Sequence, residues 1–118
     1  MTAGVGMDLI EIARIERALD RHPRLADRIF TPAEQEYASG RARPGQHLAA
    51  RFAAKEAVVK ALALGPGTNL REIEVVPGAP PAIRMHGDAA AASQGVDIHL
   101  SLTHSREMAG AVAVAEAG

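Results

Sequence analysis

Gln46-His47-Leu48-Ala49-Ala50-Arg51-Phe52-Ala53-Ala54-Lys55-Glu56-Ala57-Val58-Val59-Lys60-Ala61-Leu62-Ala63-Leu64 is the longest run of the chain without glycine or proline. Its alanines and leucines favour a helix, and Gly65-Pro66-Gly67 stops it. Downstream, Ile73 and Val75 alternate with Glu72 and Glu74 as a strand, and Ala82 to Met85 can pair with it across the turn from Pro77 to Pro81. Asp88 to Gln94 reads as a short helix, Asp97 to Thr103 as an alternating strand and Ala109 to Ala115 as the last strand. Upstream of the long helix, Ser39 to Gly45 is a loop. Thr31-Pro32-Ala33-Glu34 starts a helix, because the threonine hydroxyl can cap it, proline suits its first turn and Glu34 closes a capping box. Glu11 to His22 carries Ile12, Ile15 and Leu19 at helical spacing and ends at Pro23, and Val5 to Ile10 is an apolar strand after Gly4. This order predicts an α+β fold, an antiparallel sheet packed against a long central helix.

The chain has 118 residues, which predicts one domain spanning 1–118. Hydrophobic residues make up 47 %, but 25 of those 56 residues are alanine, so the core is thin and self-association is expected to support it. Lys+Arg 13 against Asp+Glu 14 leaves a net charge of -1, which argues against a basic nucleic-acid binder. No apolar run approaches the roughly 20 residues that span a bilayer, and the N-terminus lacks a signal-peptide pattern, so a cytoplasmic protein without membrane attachment is expected. With no cysteine, disulfides, a thiolate nucleophile and a zinc finger are excluded.

Four groups of residues carry candidate chemistry. On a strand, Gly4, Gly6 and Asp8 share one face and Val5, Met7 and Leu9 the other, so Asp8 stands on a face where a ligand or another backbone can come close. Glu56 and Lys60 are four apart on the long helix, where an ordinary surface pair is the bland account. Ala49, Phe52, Ala53 and Ala63 on the same side make a solvated face less apt, and point to a divalent cation for Glu56 and a phosphate for Lys60. His99, Ser101 and Thr103 form a polar strand face leading to His104; no G-x-S-x-G elbow accompanies it, so structural hydroxyls are the default. Arg14, Arg17 and Arg21, then Arg24 and Arg28, form a basic series opposite the apolar side of the first helix. That is either a solvated face with local pairs such as Arg17 with Asp20, or a docking surface for an acidic protein.

Gly4-Val5-Gly6-Met7-Asp8-Leu9-Ile10-Glu11-Ile12, Arg51-Phe52-Ala53-Ala54-Lys55-Glu56-Ala57-Val58-Val59-Lys60-Ala61 and Ser101-Leu102-Thr103-His104 together resemble holo-acyl-carrier-protein synthases, the short branch of the 4′-phosphopantetheinyl transferases. The resemblance runs from end to end of the chain. It implies the 4′-phosphopantetheinyl transferase-like fold and transfer of the phosphopantetheine group of coenzyme A to a serine of an apo acyl carrier protein. Adenosine 3′,5′-bisphosphate would be released, in the service of fatty-acid or polyketide biosynthesis. It implies Asp8 and Glu56 as magnesium ligands, Lys60 at the pyrophosphate, and Arg51 and His104 at the coenzyme A site. Arg14, Arg21, Arg24 and Arg28 match carrier-docking positions, and the family's active sites lie between subunits of a homotrimer. Magnesium suits this set, since it takes one or two carboxylates and fills its shell with phosphate and water. One departure is that Ala61-Leu62-Ala63-Leu64-Gly65-Pro66-Gly67 replaces the family's early Gly-Thr/Ser-Gly turn. Arg41 and Arg43 either bind the coenzyme's 3′-phosphate or belong to a flexible basic loop.

Two other function classes make different demands on the sequence. A non-catalytic carrier-binding scaffold would keep the arginine face without Asp8, Glu56 or Lys60, and all three are present. A small hydrolase using Ser101 or Ser105 with His104 would need a buried acid and an oxyanion hole, for which the sequence offers no signal.

Overall fold

The computed structural model describes residues Met1–Gly118. In chain order the elements are β1 (Thr2–Glu11), α1 (Ile12–Arg21), α2 (Leu25–Ile29), α3 (Pro32–Ser39), α4 (Pro44–Ala61), β2 (Ile73–Val76), β3 (Ala82–Met85), α5 (Gly87–Ala92), β4 (Val96–His104) and β5 (Met108–Ala117), with a 3-10 turn over Leu70–Glu72. The strands make two antiparallel sheets: β1-β5-β4, with β5 central, and the separate hairpin β2-β3. The α+β expectation of an antiparallel sheet on a long helix is met, with α4 lying against β1 and β5. No helix is long and apolar enough to cross a membrane.

Alanine explains how close these layers come. The buried core holds Ala49, Ala53, Ala57 and Ala61 of α4 facing Ala109, Ala111, Ala113 and Ala115 of β5. Gly4 and Gly6 complete the contact, for a Cβ on either would stand 1.9 Å from the carbonyl oxygen of Ala61 or Ala57. The backbone that approaches the glycine face of β1 is therefore α4 itself. Because successive residues of a strand alternate, Asp8 points to the same side as Gly4 and Gly6, at the edge of α4. Val5, Met7 and Leu9 are turned outward and are 62 %, 64 % and 60 % exposed.

α4 is displaced towards its N-terminus relative to the sequence reading. It begins at Pro44, whose fixed φ and missing N–H suit a first turn, and it ends at Ala61. Beyond it Ala63 takes a positive φ of 53° and is exposed, so it does not belong to the Glu56 side of the helix. The five-residue α2 was not expected. It is too short to show a helical period and contains no buried residue.

The capping box at α3 forms as expected: Glu34 N–H donates to Thr31 Oγ1 at 3.2 Å, and Thr31 N–H donates to Glu34 Oε1 at 2.8 Å. Glu34 also accepts the Val75 N–H and pairs with Lys55 at 2.9 Å, both side chains being fully buried. Lys55 further donates to the carbonyls of Leu70 and Ile73. One ion pair thereby joins α3, α4 and the β2-β3 hairpin.

Candidate functional site

β1 and α4 bring Asp8, Glu56 and Lys60 together. Lys60 Nζ donates to the Met7 carbonyl at 2.9 Å and lies 3.2 Å from Asp8 Oδ1. The Glu56–Lys60 surface pair does not form; Lys60 reaches back to the strand instead. Glu56 and Asp8 line a cleft of about 320 Å³ with Arg14, Ile15 and Phe52. Burial pushes the Glu56 carboxyl above its ordinary value, the neighbouring Asp8 charge pushes it further, and Lys60 offsets only part of this. No cluster of three or more His, Asp or Glu side chains converges anywhere in the chain. Two hard carboxylate oxygen donors in one cleft fit a magnesium ion that completes its shell from phosphate and water, and do not fit a cation caged wholly by protein.

A second, basic group stands at the other end of α4. Arg51 is 4 % exposed. Its NH1 donates to the His47 carbonyl at 3.3 Å, and its Nε, also buried, has no partner. The Arg51 and Arg41 guanidiniums each lie 4.2 Å from the centre of the Tyr37 ring. His47 meets that ring edge-on at 5.8 Å. His104, at the end of β4, accepts from the Gln46 amide. The His47 imidazole is pushed below its ordinary value, by burial first and then by Arg51, Arg41 and His104. The sequence singled out Arg51 and His104 but missed Tyr37 and His47. His47 sits one helical turn before Arg51, and Tyr37 is the chain's single tyrosine.

No hydrogen bond or ion pair links these two groups within the chain. Arg43, one of the two arginines proposed for the 3′-phosphate, is engaged within the chain. It holds Glu16 of α1 through Nε and NH2 and donates to the Arg106 carbonyl, so it pins the loop before α4. The hydrolase alternative loses its geometry: the β4 register puts Ser101 opposite Val112 on the outer face and His104 opposite buried Ala109 on the inner one. Ser105 Oγ accepts the Met108 N–H.

Arg14, Arg17, Arg21, Arg24 and Arg28 are all exposed, and none forms an ion pair. The local Arg17–Asp20 pair is thus absent. Arg21, Arg24 and Arg28 border a groove of about 620 Å³ with His22, Pro23 and Leu25 at the α1–α2 turn. Arg14 instead borders the Asp8–Glu56 cleft.

Residues 4–113 match the model of the 4′-phosphopantetheinyl transferase superfamily. The chain belongs to this superfamily. Within it, the chain stands with the enzymes called holo-[acyl-carrier-protein] synthases. It is 50 % identical to the one from Moorella thermoacetica, over 94 % of this chain and 91 % of that one. Among solved structures, the acyl carrier protein synthase of Mycobacterium tuberculosis superposes with a TM-score of 0.83 at 39 % identity, covering 100 % of both chains. The synthase–CoA complex from Chronobacterium ammoniagenes gives a TM-score of 0.87 at 30 % identity, over 98 % of this chain and 97 % of that one. A phosphopantetheinyl transferase fold is therefore what the alanine-lined contact of α4 with β1 and β5 builds.

Proposed function

We propose that this single-domain chain, 1–118, transfers the 4′-phosphopantetheine group of coenzyme A to a serine of an apo acyl carrier protein. Adenosine 3′,5′-bisphosphate is released, and the modified carrier serves fatty-acid or polyketide synthesis. The observation that carries this reading is the cleft that Asp8 and Glu56 line from separate elements, with Lys60 paired to Asp8.

In this reading Asp8 and Glu56 hold a magnesium ion, which when bound neutralises charge on the pyrophosphate of coenzyme A. Lys60 leaves Asp8 for the pyrophosphate and supplies a second positive charge against the negative charge that builds up on the leaving bisphosphate. The serine oxygen forms a bond to the phosphorus nearer the pantetheine, the bond from that phosphorus to the bridging oxygen breaks, and the serine proton is released. Arg51 and His104 bind the nucleotide end of coenzyme A. Arg21, Arg24 and Arg28 meet acidic residues of the carrier, and Arg14, at the rim of the cleft, guides its serine inward. Such charge complementarity raises the encounter rate and sets the carrier's orientation.

The working protein in this reading is a homotrimer in the cytoplasm. Two features support the assembly: the outward apolar face of Val5, Met7 and Leu9, and the lack of any hydrogen bond or ion pair between the carboxylate cleft and the Arg51–His104 group within one chain. A site shared between subunits can join the two. The test is the intact mass of an apo acyl carrier protein panel after incubation with this protein, coenzyme A and magnesium. A gain of one phosphopantetheine, abolished by chelator, is expected. No gain across the panel, with coenzyme A still bound, would return the chain to the class of carrier-binding scaffolds.

A further inference from the structure

Tyr37 is the meeting point of charges that ought to repel one another. Two guanidiniums, Arg41 and Arg51, lie at 4.2 Å from its ring centre, and His47 stands against its edge. No carboxylate forms an ion pair with either arginine. A cation over an aromatic face is attracted by the ring's quadrupole, more strongly where water is excluded. Here Arg51 is buried and retains an unpaired Nε. A buried donor without an acceptor is costly, and a planar guanidinium is the side chain best matched to phosphate oxygens.

We propose that Tyr37 is a positioning residue for coenzyme A: its ring holds the Arg41 and Arg51 guanidiniums, each 4.2 Å from its centre, where they meet phosphate oxygens of the nucleotide. The proposal rests on the reading of Arg51 as a coenzyme A ligand and adds to it what holds that arginine. α4 supplies Arg51 and His47, the loop after α3 supplies Arg41, and Tyr37 on α3 is the one side chain touching all three. The ring makes the contact with both guanidiniums, and the phenol oxygen adds a favourable effect on the Arg51 charge. Tyr37 therefore governs coenzyme binding and leaves the chemistry at Asp8 and Glu56 unchanged.

The test measures kcat and KM for coenzyme A in Tyr37→Phe, Tyr37→Leu and Arg51→Ala, with thermal melting of each. Tyr37→Phe, which keeps the ring and loses only the hydroxyl's effect on Arg51, should raise KM by less than Tyr37→Leu. Tyr37→Leu should raise KM about tenfold, the scale of losing cation–π support at two arginines, with kcat within about twofold. Arg51→Ala should raise KM at least as much. If Arg51→Ala raises KM and Tyr37→Leu does not, the positioning role is wrong and the coenzyme reading of Arg51 stands. If Arg51→Ala leaves KM unchanged, that reading fails and takes the proposal with it. A Tyr37→Phe variant as impaired as Tyr37→Leu, or one losing kcat and melting temperature at constant KM, would overturn the ring's role. Because Tyr37 is the only tyrosine, tyrosine-selective ¹³C labelling of the unaltered protein yields one ring signal. It should shift at saturating coenzyme A; an unmoved signal overturns the proposal even if Tyr37→Leu fails to fold.

Discussion

Lys60 Nζ lies 3.2 Å from Asp8 Oδ1, so the ammonium beside the cleft is paired with the carboxylate on β1, while Glu56, one helical turn before it on α4, has no ion pair. The two acids are thus unequal. Asp8 is already matched by a cation, whereas Glu56 is disfavoured as an anion by burial and by Asp8 itself.

That inequality predicts opposite effects of Glu56→Gln on stability and on activity. A carboxyl whose folded pKa is raised binds its proton more tightly in the folded state. Its charge therefore costs stability as pH rises above the ordinary value of 4.5 and through the raised folded one. Without divalent metal at neutral pH, Glu56→Gln should melt a few degrees higher than the parent, and the gap should close at pH below 4.5, where both side chains are neutral. If Glu56 holds magnesium as proposed, phosphopantetheine transfer by the same variant should fall on the order of a hundredfold or more. Melting curves with and without magnesium read both effects. Equal melting at neutral pH would refute the unfavourable Asp8–Glu56 pairing.

Gly6→Ala tests what sets Asp8 against α4. The new Cβ would stand 1.9 Å from the Ala57 carbonyl and 2.8 Å from the Ala61 nitrogen. These are backbone atoms, which cannot swing aside as a side chain does. β1 must move away from α4 and carry Asp8 with it. Overpacking of this kind costs about 1–3 kcal/mol, sometimes more. Denaturant unfolding should show that loss, and transfer should fall even at temperatures where the variant is folded. Unchanged activity in the folded variant would mean that Asp8 does not need this register.

The glycine face of β1 shows how far local pattern reading reaches. Alternation alone puts Gly4, Gly6 and Asp8 together and leaves Val5, Met7 and Leu9 on the opposite side, because a strand has a period of two. It does not say which backbone fills the space, since that depends on α4, more than forty residues away. The Thr31–Glu34 capping box was equally legible, being closed within four residues. Its continuation through Glu34 to Lys55 and Val75 was not, for those contacts span 21 and 41 positions of sequence. Lys60 shows the same limit. Helical spacing offers it Glu56, but its actual partners, Asp8 and the Met7 carbonyl, come from another element. Arg51 and His104 were found through their motifs, whereas Tyr37 lies outside any of them and is visible only from the ring contacts it makes.

Lys55→Met should be a stability variant despite its place beside Glu56 in the helix. Lys55 and Glu34 are both wholly buried, 2.9 Å apart. Removing the ammonium leaves Glu34 without its countercharge, although the N–H groups of Thr31 and Val75 still donate to it. Breaking a buried pair by deleting one partner costs about 3–5 kcal/mol, a large share of the roughly 5–15 kcal/mol of a typical domain. Glu34→Gln with Lys55→Met should recover part of the loss, because no uncompensated charge then stays inside. Urea unfolding of the two single variants and the double variant gives the coupling. Strict additivity would mean that the pair contributes nothing as a pair.

The outward face of the larger sheet predicts the assembly. Val5, Met7 and Leu9 on β1 adjoin Val112 of β5, and Met7 is paired with Val112 across the strands. Fully burying each such side chain is worth about 1.5–3 kcal/mol, which a chain with an alanine-rich core can draw from a second copy. Val5→Glu with Val112→Glu would bring two carboxylates into that contact. Light scattering should give a trimer for the parent and a smaller species for the double variant. Transfer activity should fall with the assembly, because the Asp8–Glu56 cleft and the Arg51–His104 group would then stay on separate molecules. It should recover partly at high protein concentration, as association responds to mass action. A monomeric variant with full activity would show that one chain completes the site alone.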